Sequence, residues 1–132
     1  MTEFDKAYVA GFFDGEGYIS IEKKQLNLRV GIANTNKDIM EWIHINFGGQ
    51  MQKVNAEKYK HKPCYLWRAS SKQAENFLKY IYPFLKVKKL RAEIAFKLRE
   101  TFNYENFNNQ KISPGIIQQR LDFRKQMLVL NL

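Results

Sequence analysis

The sequence predicts an α+β domain in which helices cover one face of a four-stranded antiparallel sheet. Three observations carry this prediction. Two pairs of strand-like segments alternate apolar and polar residues, helix-like segments stand before, between and after these pairs, and the composition is that of a globular chain. The 132 residues, 45% of them hydrophobic and 27% charged, suffice for one domain with its own core.

The elements follow from periodicity, caps and breakers. In the segment LRVGIAN, Leu28, Val30 and Ile32 would face the core and Arg29 the solvent. Pro83 interrupts the chain before a helix whose inward residues would include Leu90. In chain order we expect a helix at 3–14, strands at 18–24 and 28–34, a helix at 37–47, a strand at 50–55, a loop at 56–63, a strand at 64–70, helices at 72–82 and from 84–91 to about 102, a loop at 103–112 and a helix at 115–128.

The chain reads as a single domain, with a core at about 5–102 and a helical C-terminal extension at about 103–132. No membrane span and no secretion signal are expected, and the lone Cys64 excludes an internal disulfide and fits a reducing compartment. The net charge of +9 favours a polyanionic partner, although anionic membranes and proteins attract basic domains as well.

The stretch YVAGFFDGEG at residues 8–17 carries the first candidate site. It reads as a helix with small residues Ala10 and Gly11 that ends at Asp14 and Glu16, each followed by glycine. Carboxylates and a backbone carbonyl at a helix tip can hold Mg²⁺, which would assist phosphodiester hydrolysis; the alternative is a plain turn after a helix. One chain supplies too few acids for a two-metal site, and the stretch occurs once, so a second copy would come from a partner chain.

Polar residues of mixed kind alternate outward along the predicted strands. Arginine, glutamine and carboxylate side chains are those that read base edges, and a two-stranded ribbon fits the major groove; the alternative is an ordinary solvated face. The outward residues are Ser20, Glu22, Lys24, Arg29, Gln50, Gln52 and Arg68. A basic cluster ahead of and within the next helix, Lys86, Lys88, Lys89 and Arg91, would place one or two cations near a phosphate and leave the others solvated.

The segment VAGFFDGEG at residues 9–17, followed by YISI, resembles the motif of the LAGLIDADG homing endonuclease family. The agreement extends to the strand before NTNKD, to FGG, to YLWRASSKQAENFL and to YPFLKVKKLRAE, and covers about residues 5–100. The resemblance implies the family's α-β-β-α-β-β-α fold with a saddle-shaped sheet. Because the motif occurs once, it also implies a homodimer formed through the motif helix.

The resemblance assigns roles to individual residues. It implies that Glu16 is the metal-binding acid, helped by the Gly15 carbonyl, that Asp14 is a structural acid at the helix end, and that Asn36 and Lys88 act in catalysis. Val9, Ala10, Gly11 and Phe13 would lie at the dimer interface. Mg²⁺ is the implied cofactor, with Mn²⁺ expected to substitute. The implied reaction is cleavage of both strands of a long, roughly palindromic site in double-stranded DNA, leaving short 3′ overhangs.

Other functions stay open at this point. A maturase would use the same fold to bind intron RNA and assist splicing; loss of the acid is the usual sign of a member that does not cut, and Glu16 is present. A non-cleaving DNA-binding regulator would need an added DNA-binding domain. A basic protein-interaction module would bind no DNA duplex even at low salt.

Overall fold

A computed structural model of the protein confirms the predicted α+β class and the order of elements; it describes residues 1–54, 63–103 and 112–132. The sheet is antiparallel throughout, with strand order β1-β2-β4-β3. The loops expected at 56–63 and 103–112 lie largely outside the described residues. The elements are α1 (Glu3–Glu16), β1 (Gly17–Ile21), β2 (Leu28–Asn34), α2 (Lys37–Phe47), β3 (Gln50–Val54), β4 (Cys64–Ser70), α3 (Ser71–Ile81), a 3₁₀ turn (Tyr82–Phe84), α4 (Lys89–Glu100) and α5 (Pro114–Leu130).

The core lies between one face of the sheet and the helices. Leu28, Val30 and Ile32 point into it, as their alternation predicts, and Trp67 of β4 is fully buried. The ring of Phe77 on α3 lies 4.8 Å from that of Trp67 and 5.2 Å from that of Phe13 on α1. These edge and tilted ring contacts fix α1 relative to the sheet.

Helix α1 runs directly into β1, with no loop between them. It begins with a reciprocal capping box, in which Thr2 and Asp5 bond each other's backbone N–H groups. It ends at Glu16, two residues beyond the predicted end, where the N–H of Gly17 donates to the carbonyl of Phe13. Asp14 and Glu16 therefore both lie in the last helical turn.

Strand β1 is shorter than the predicted strand 18–24, which was wrong at its C-terminal end. It stops at Ile21, and Lys24 lies in the turn that follows. The Glu22 carboxylate accepts hydrogen bonds from the N–H groups of Lys24 (2.9 Å) and Gln25 (2.7 Å), so it closes the turn instead of extending the strand.

Helix α4 begins at Lys89, later than predicted, because residues 82–88 form the 3₁₀ turn and a bend. The prediction that Leu90 faces inward was also wrong, since its side chain is 63% exposed. The buried stripe of α4 consists instead of Ala92, Ala95 and Leu98.

Helix α5 makes the C-terminal extension part of the fold. The edge strand β1 has carbonyls that receive no hydrogen bond from a neighbouring strand, and two side chains, one on α5 and one just past it, donate to them. Arg124 Nε donates to Ile21 O (3.3 Å), and Asn131 Nδ2, just past the helix, donates to Ile19 O (2.9 Å). None of the helices in the part of the chain that the structure describes is both long and apolar enough to cross a membrane.

Candidate active site and nucleic-acid interface

The end of α1 is bound to the segment that precedes α4. The Asp14 carboxylate accepts from the backbone N–H groups of Lys86 (2.8 Å) and Lys88 (3.0 Å). In return, Lys88 Nζ donates to the main-chain carbonyl of Asp14 at 2.6 Å. Asp14 thus has the contacts of a structural acid, and it fixes Lys88 at the C-terminal tip of α1.

Lys88 is a buried cation held at a helix C-terminus, where the macrodipole favours positive charge. Its residue surface is only 9% exposed. Burial lowers the pKa of Lys88, the nearby charge of Arg91 lowers it further, and the Asp14 carboxylate acts in the opposite direction. Arg91 is in turn tethered to α5, because its guanidinium donates to the carbonyl of Leu130.

Glu16 follows two residues after Asp14 and is exposed, as is Gly15 between them. One exposed carboxylate beside a helix-terminal carbonyl is a small set of hard oxygen donors, which suits Mg²⁺ when waters and phosphate oxygens complete the shell. Within residues 1–54, 63–103 and 112–132 there is no cluster of three His, Cys, Asp or Glu side chains that could hold a metal alone. The donors of one chain therefore fit a shared metal site better than a closed one.

Asn36 lies at the N-terminus of α2 and has a structural contact. Its Oδ1 accepts from the N–H of Ile39 at 3.1 Å, which caps the helix. Its own N–H donates to Oδ1 of Asn34, the last residue of β2, at 2.8 Å. The structure fixes the position of Asn36 and uses one lone pair of its side-chain oxygen in the cap, which leaves its amide nitrogen open to the predicted catalytic role.

The outer face of the sheet carries most of the predicted base-reading residues. The register aligns Ser20 with Arg29 across β1 and β2, and Arg68 with Gln50 across β4 and β3. Gln52 lies two residues further along β3 on the same face. Glu22 and Lys24 lie beyond the strand, in the turn, where hydrogen bonds from Gln25 and then Lys24 lower the pKa of the Glu22 carboxyl.

Tyr18 is a residue of this face that the sequence analysis missed. It is 40% exposed, and its ring lies over Gly31 so closely that a Cβ there would meet the ring at 2.5 Å. The pairing of Tyr18 with Gly31 across β1 and β2 explains the contact. The sequence signal for Tyr18 was that it alternates with Ile19 and so falls on the same face as Ser20, opposite a glycine on the next strand.

The face of α1 open to a partner differs from the predicted one. Val9, Ala10 and Phe13 are 0% exposed because they pack in the chain's own core, so assigning them to a contact between two copies was wrong. Of the predicted interface residues, only Gly11 is exposed, and nothing lies within 4 Å of a Cβ built on it. The exposed face consists of Phe4, Ala7, Tyr8, Gly11 and Gly15, with Phe12 and Trp42 at its edge.

Comparison with solved structures shows the fold. The chain matches the homing endonuclease I-CvuI in complex with DNA, with a TM-score of 0.79 and 15% identity over 97% of this chain and 82% of that one. It matches the archaeal intron-encoded homing endonuclease I-Vdi141I complexed with DNA, with a TM-score of 0.73 and 17% identity over 97% and 84%. The match to the homing endonuclease I-GzeII with its DNA target has a TM-score of 0.70 and 19% identity, but covers 92% of this chain and only 44% of that one.

Sequence comparison adds a relative and the family. Reverse gyrase of Methanocaldococcus jannaschii is 26% identical over 125 residues, which are 90% of this chain but 8% of that protein's length. The family model described as a LAGLIDADG-like domain matches residues 3–82, more than half of the chain. Because this model covers the α1 motif, the sheet and the first three helices, this chain belongs to the LAGLIDADG family.

Proposed function

We propose that this protein is a site-specific endonuclease for double-stranded DNA that acts as a homodimer with a divalent metal ion. The observation that carries the proposal is the junction of α1 and β1. There the Lys88 ammonium donates to the main-chain carbonyl of Asp14 at 2.6 Å. The exposed Glu16 lies in the same helical turn as this carbonyl. Strand β1 begins at the next residue, and its outer face carries Tyr18 and Ser20. A carboxylate, a cation and a base-reading surface are therefore contiguous.

Binding would use the outer face of the sheet in the major groove. The net charge of +9 supplies the sequence-independent attraction to phosphates. Arg29 and Arg68 are exposed, and within the described residues neither guanidinium makes a salt bridge or a hydrogen bond to protein. Their donors are therefore available to guanine edges, while Gln50 and Gln52 supply both donors and acceptors.

Dimerisation would use the exposed face of α1. Ala7, Gly11 and Gly15 are spaced by four residues and form a row without bulk, so two helix backbones can approach closely there. Phe4 and Tyr8, which are 87% and 58% exposed, would be buried at its edges. A two-fold axis along this contact would place both copies of Glu16 side by side, and would repeat the DNA surface to match a roughly palindromic site.

Glu16 and the Gly15 carbonyl would hold Mg²⁺, or Mn²⁺ in its place, together with the partner's copies and the DNA phosphates. The metal, when bound, supplies Lewis-acid stabilisation of the phosphate and lowers the pKa of a bound water. Lys88 would stabilise the charge that develops on the scissile phosphate, because it is partly desolvated and already fixed in place. The amide nitrogen of Asn36 would orient water.

Two such centres close to the dimer axis would each cut one strand, across the minor groove between the two bound sheets. Cuts at this separation would leave short 3′ overhangs. Strand β1 begins at Gly17, directly after Glu16, so it would hold the base-reading surface at a fixed position relative to the cleavage centre. Specificity and cleavage would then depend on the same rigid junction.

Selection of cleaved sites from a randomised duplex library with Mg²⁺ tests the proposal. The expected products come from one long, roughly palindromic sequence and carry 3′ overhangs on both strands. Sedimentation should give twice the 15.7 kDa mass of one chain. Absence of cleavage in Mg²⁺ and in Mn²⁺, with duplex binding retained, would contradict the endonuclease and leave a binding protein of the same fold.

A further inference from the structure

We propose that a polar recess at one end of the outer sheet face reads a guanine of a G·C pair, and that Gln73 of α3 takes part in this recognition. The recess has a volume of about 150 Å³ and is lined by Arg29, Gln50, Arg68, Ala69, Ser70 and Gln73. This inference rests on the proposed function and specifies its DNA specificity. Ser70 and Gln73 were not among the residues predicted to contact DNA.

The register of the sheet brings the strand residues of the recess together. Arg68 pairs across the sheet with Gln50 on one side, and on the other with Gly31, which the ring of Tyr18 covers. Arg29 pairs with Ser70, two residues further along β4 on the same face. Two arginines, a glutamine and a serine therefore converge from three strands.

Gln73 is held at the rim of this recess by the turn between α2 and β3. Gly48 has a φ of 71°, and a Cβ built on it would lie 2.5 Å from Nε2 of Gln73, so the amide rests directly on the glycine backbone. At Gly49, with a φ of 79°, a Cβ would lie 2.5 Å from the carbonyl oxygen of Arg68. Two glycines in the left-handed region thus let this turn close onto β4 and place Gln73 beside Arg68.

The junction between β4 and α3 is also fixed by a specific contact. Ser71 adopts a φ of 55°, a conformation that residues other than glycine rarely adopt. Its Oγ accepts a hydrogen bond from Nδ2 of Asn27 at 2.7 Å. This bond holds the chain where Ser70 leaves the sheet and where the first turn of α3 presents Gln73.

The chemistry of these groups favours a G·C pair. Guanine presents two acceptors, N7 and O6, in the major groove, and an arginine can donate to both. The paired cytosine presents an N4 donor, which a glutamine carbonyl can accept. An adenine would set its N6 donor against the guanidinium groups. A phosphate presents only acceptors, so it would use the arginines but make no use of the acceptor oxygens of the two glutamines.

Binding selection from a randomised duplex library, in Ca²⁺ and without cleavage, tests the inference. Wild-type protein should enrich guanine at two positions related by the two-fold axis of the site. Arg68→Ala should reduce the preference for guanine at these positions about tenfold or more. Gln73→Ala should reduce it about two- to tenfold at the same positions. Asn76→Ala, an exposed amide on the next turn of α3 outside the recess, is the matched control and should leave the preference unchanged.

If Arg68→Ala weakens binding equally for all sequences and reduces the salt dependence by about one phosphate contact, the recess holds a phosphate and the inference is wrong. A Gln73→Ala protein that selects the wild-type sequence with wild-type preference would remove Gln73 from recognition. Wild-type protein that binds no duplex at low salt would overturn the proposed function itself, whereas binding without the paired guanines overturns only this inference.

Discussion

Gly11→Leu should abolish the dimer while leaving the single chain folded. No atom lies within 4 Å of a Cβ at this position, so the substitution creates no clash inside one chain. Gly11 is an exposed residue in the interior of α1, and replacing it by leucine should stabilise the helix by about 0.5–1 kcal/mol. The free energy of unfolding of the isolated chain is therefore expected to stay the same or to rise slightly.

The effect on association is opposite and larger. A leucine at the centre of the contact would hold the two helices apart and re-expose Phe4 and Tyr8 in both copies, which are 87% and 58% exposed in the single chain. Burying an aromatic or aliphatic side chain of this size contributes about 1.5–3 kcal/mol, and four of them are involved. Losing even one such side chain from each copy would raise the dimer dissociation constant about a hundredfold or more.

Sedimentation equilibrium, thermal unfolding and cleavage of the selected site measure the three consequences. Gly115→Leu is the matched control, because a Cβ on this exposed glycine at the start of α5 would meet Ser113 Oγ only at an ordinary contact distance of 3.9 Å, and the residue is outside α1. Gly11→Leu should be a folded monomer without cleavage activity, and Gly115→Leu an active dimer. A Gly11→Leu protein that stays dimeric and cuts at the wild-type rate would show that this face of α1 does not form the dimer contact.

Three further predictions concern the scaffold around the site. Gly17→Ala places a Cβ 2.2 Å from the buried ring of Phe13 and should destabilise the fold by about 1–3 kcal/mol in urea unfolding; an unchanged midpoint would contradict this packing. Asn131→Ala removes the 2.9 Å bond to the β1 edge and should cost about 0.5–1.5 kcal/mol, measured by thermal unfolding; no loss would mean that this bond does not stabilise the edge. Glu75→Gln should destabilise the protein by about 1–3 kcal/mol at pH 7, and the difference from wild type should shrink on acidification; a difference independent of pH would refute it.

The sign of the Glu75 effect follows from its surroundings. Burial alone would raise the pKa of this carboxyl, but the hydrogen bond and charge of Lys79, together with Arg99 and Lys72, outweigh it and lower the pKa below 4.5. A carboxylate with a lowered folded-state pKa stabilises the protein above its unfolded-state pKa. That contribution is lost as the pH falls through the lowered value, so wild type and Glu75→Gln should converge in acid.

The strands and most helices could be predicted because their buried residues recur at the spacing of one type of element, every second residue in a strand and every three to four residues in a helix. Leu28, Val30 and Ile32 alternate cleanly, and the buried residues of α3 recur at helical spacing. The prediction for Leu90 failed because it started the helix too early, at residues that precede α4. The carboxylate of Asp14 in fact binds the backbone N–H of Lys86 in this segment, across a sequence separation of 72 residues. No local pattern contains a contact of that sequence separation.

The exposed face of α1, which we propose as the dimer contact, could not be predicted from the composition of the helix. The helix carries large apolar residues on both sides, at Tyr8 and Phe12 as well as at Val9 and Phe13, so periodicity cannot tell the core side from the partner side. The motif likewise marks Glu16 but not the bond between Lys88 Nζ and the Asp14 carbonyl. The resemblance assigns the structural role to Asp14 and the metal to Glu16, and the folded chain adds the contacts by which Asp14 binds the segment before α4.

The assignment of the active site to the C-terminal end of α1 is tested most directly by single-turnover cleavage of the selected DNA, with Glu16→Gln compared with Glu3→Gln. Glu3 is an exposed acid at the opposite end of the same helix, with a side chain that is 75% exposed. Glu16→Gln should bind the DNA with nearly wild-type affinity but cut it at least about a hundredfold more slowly, while Glu3→Gln should behave as wild type. A Glu16→Gln protein that cuts at the wild-type rate would mean that the active site is not at this helix end.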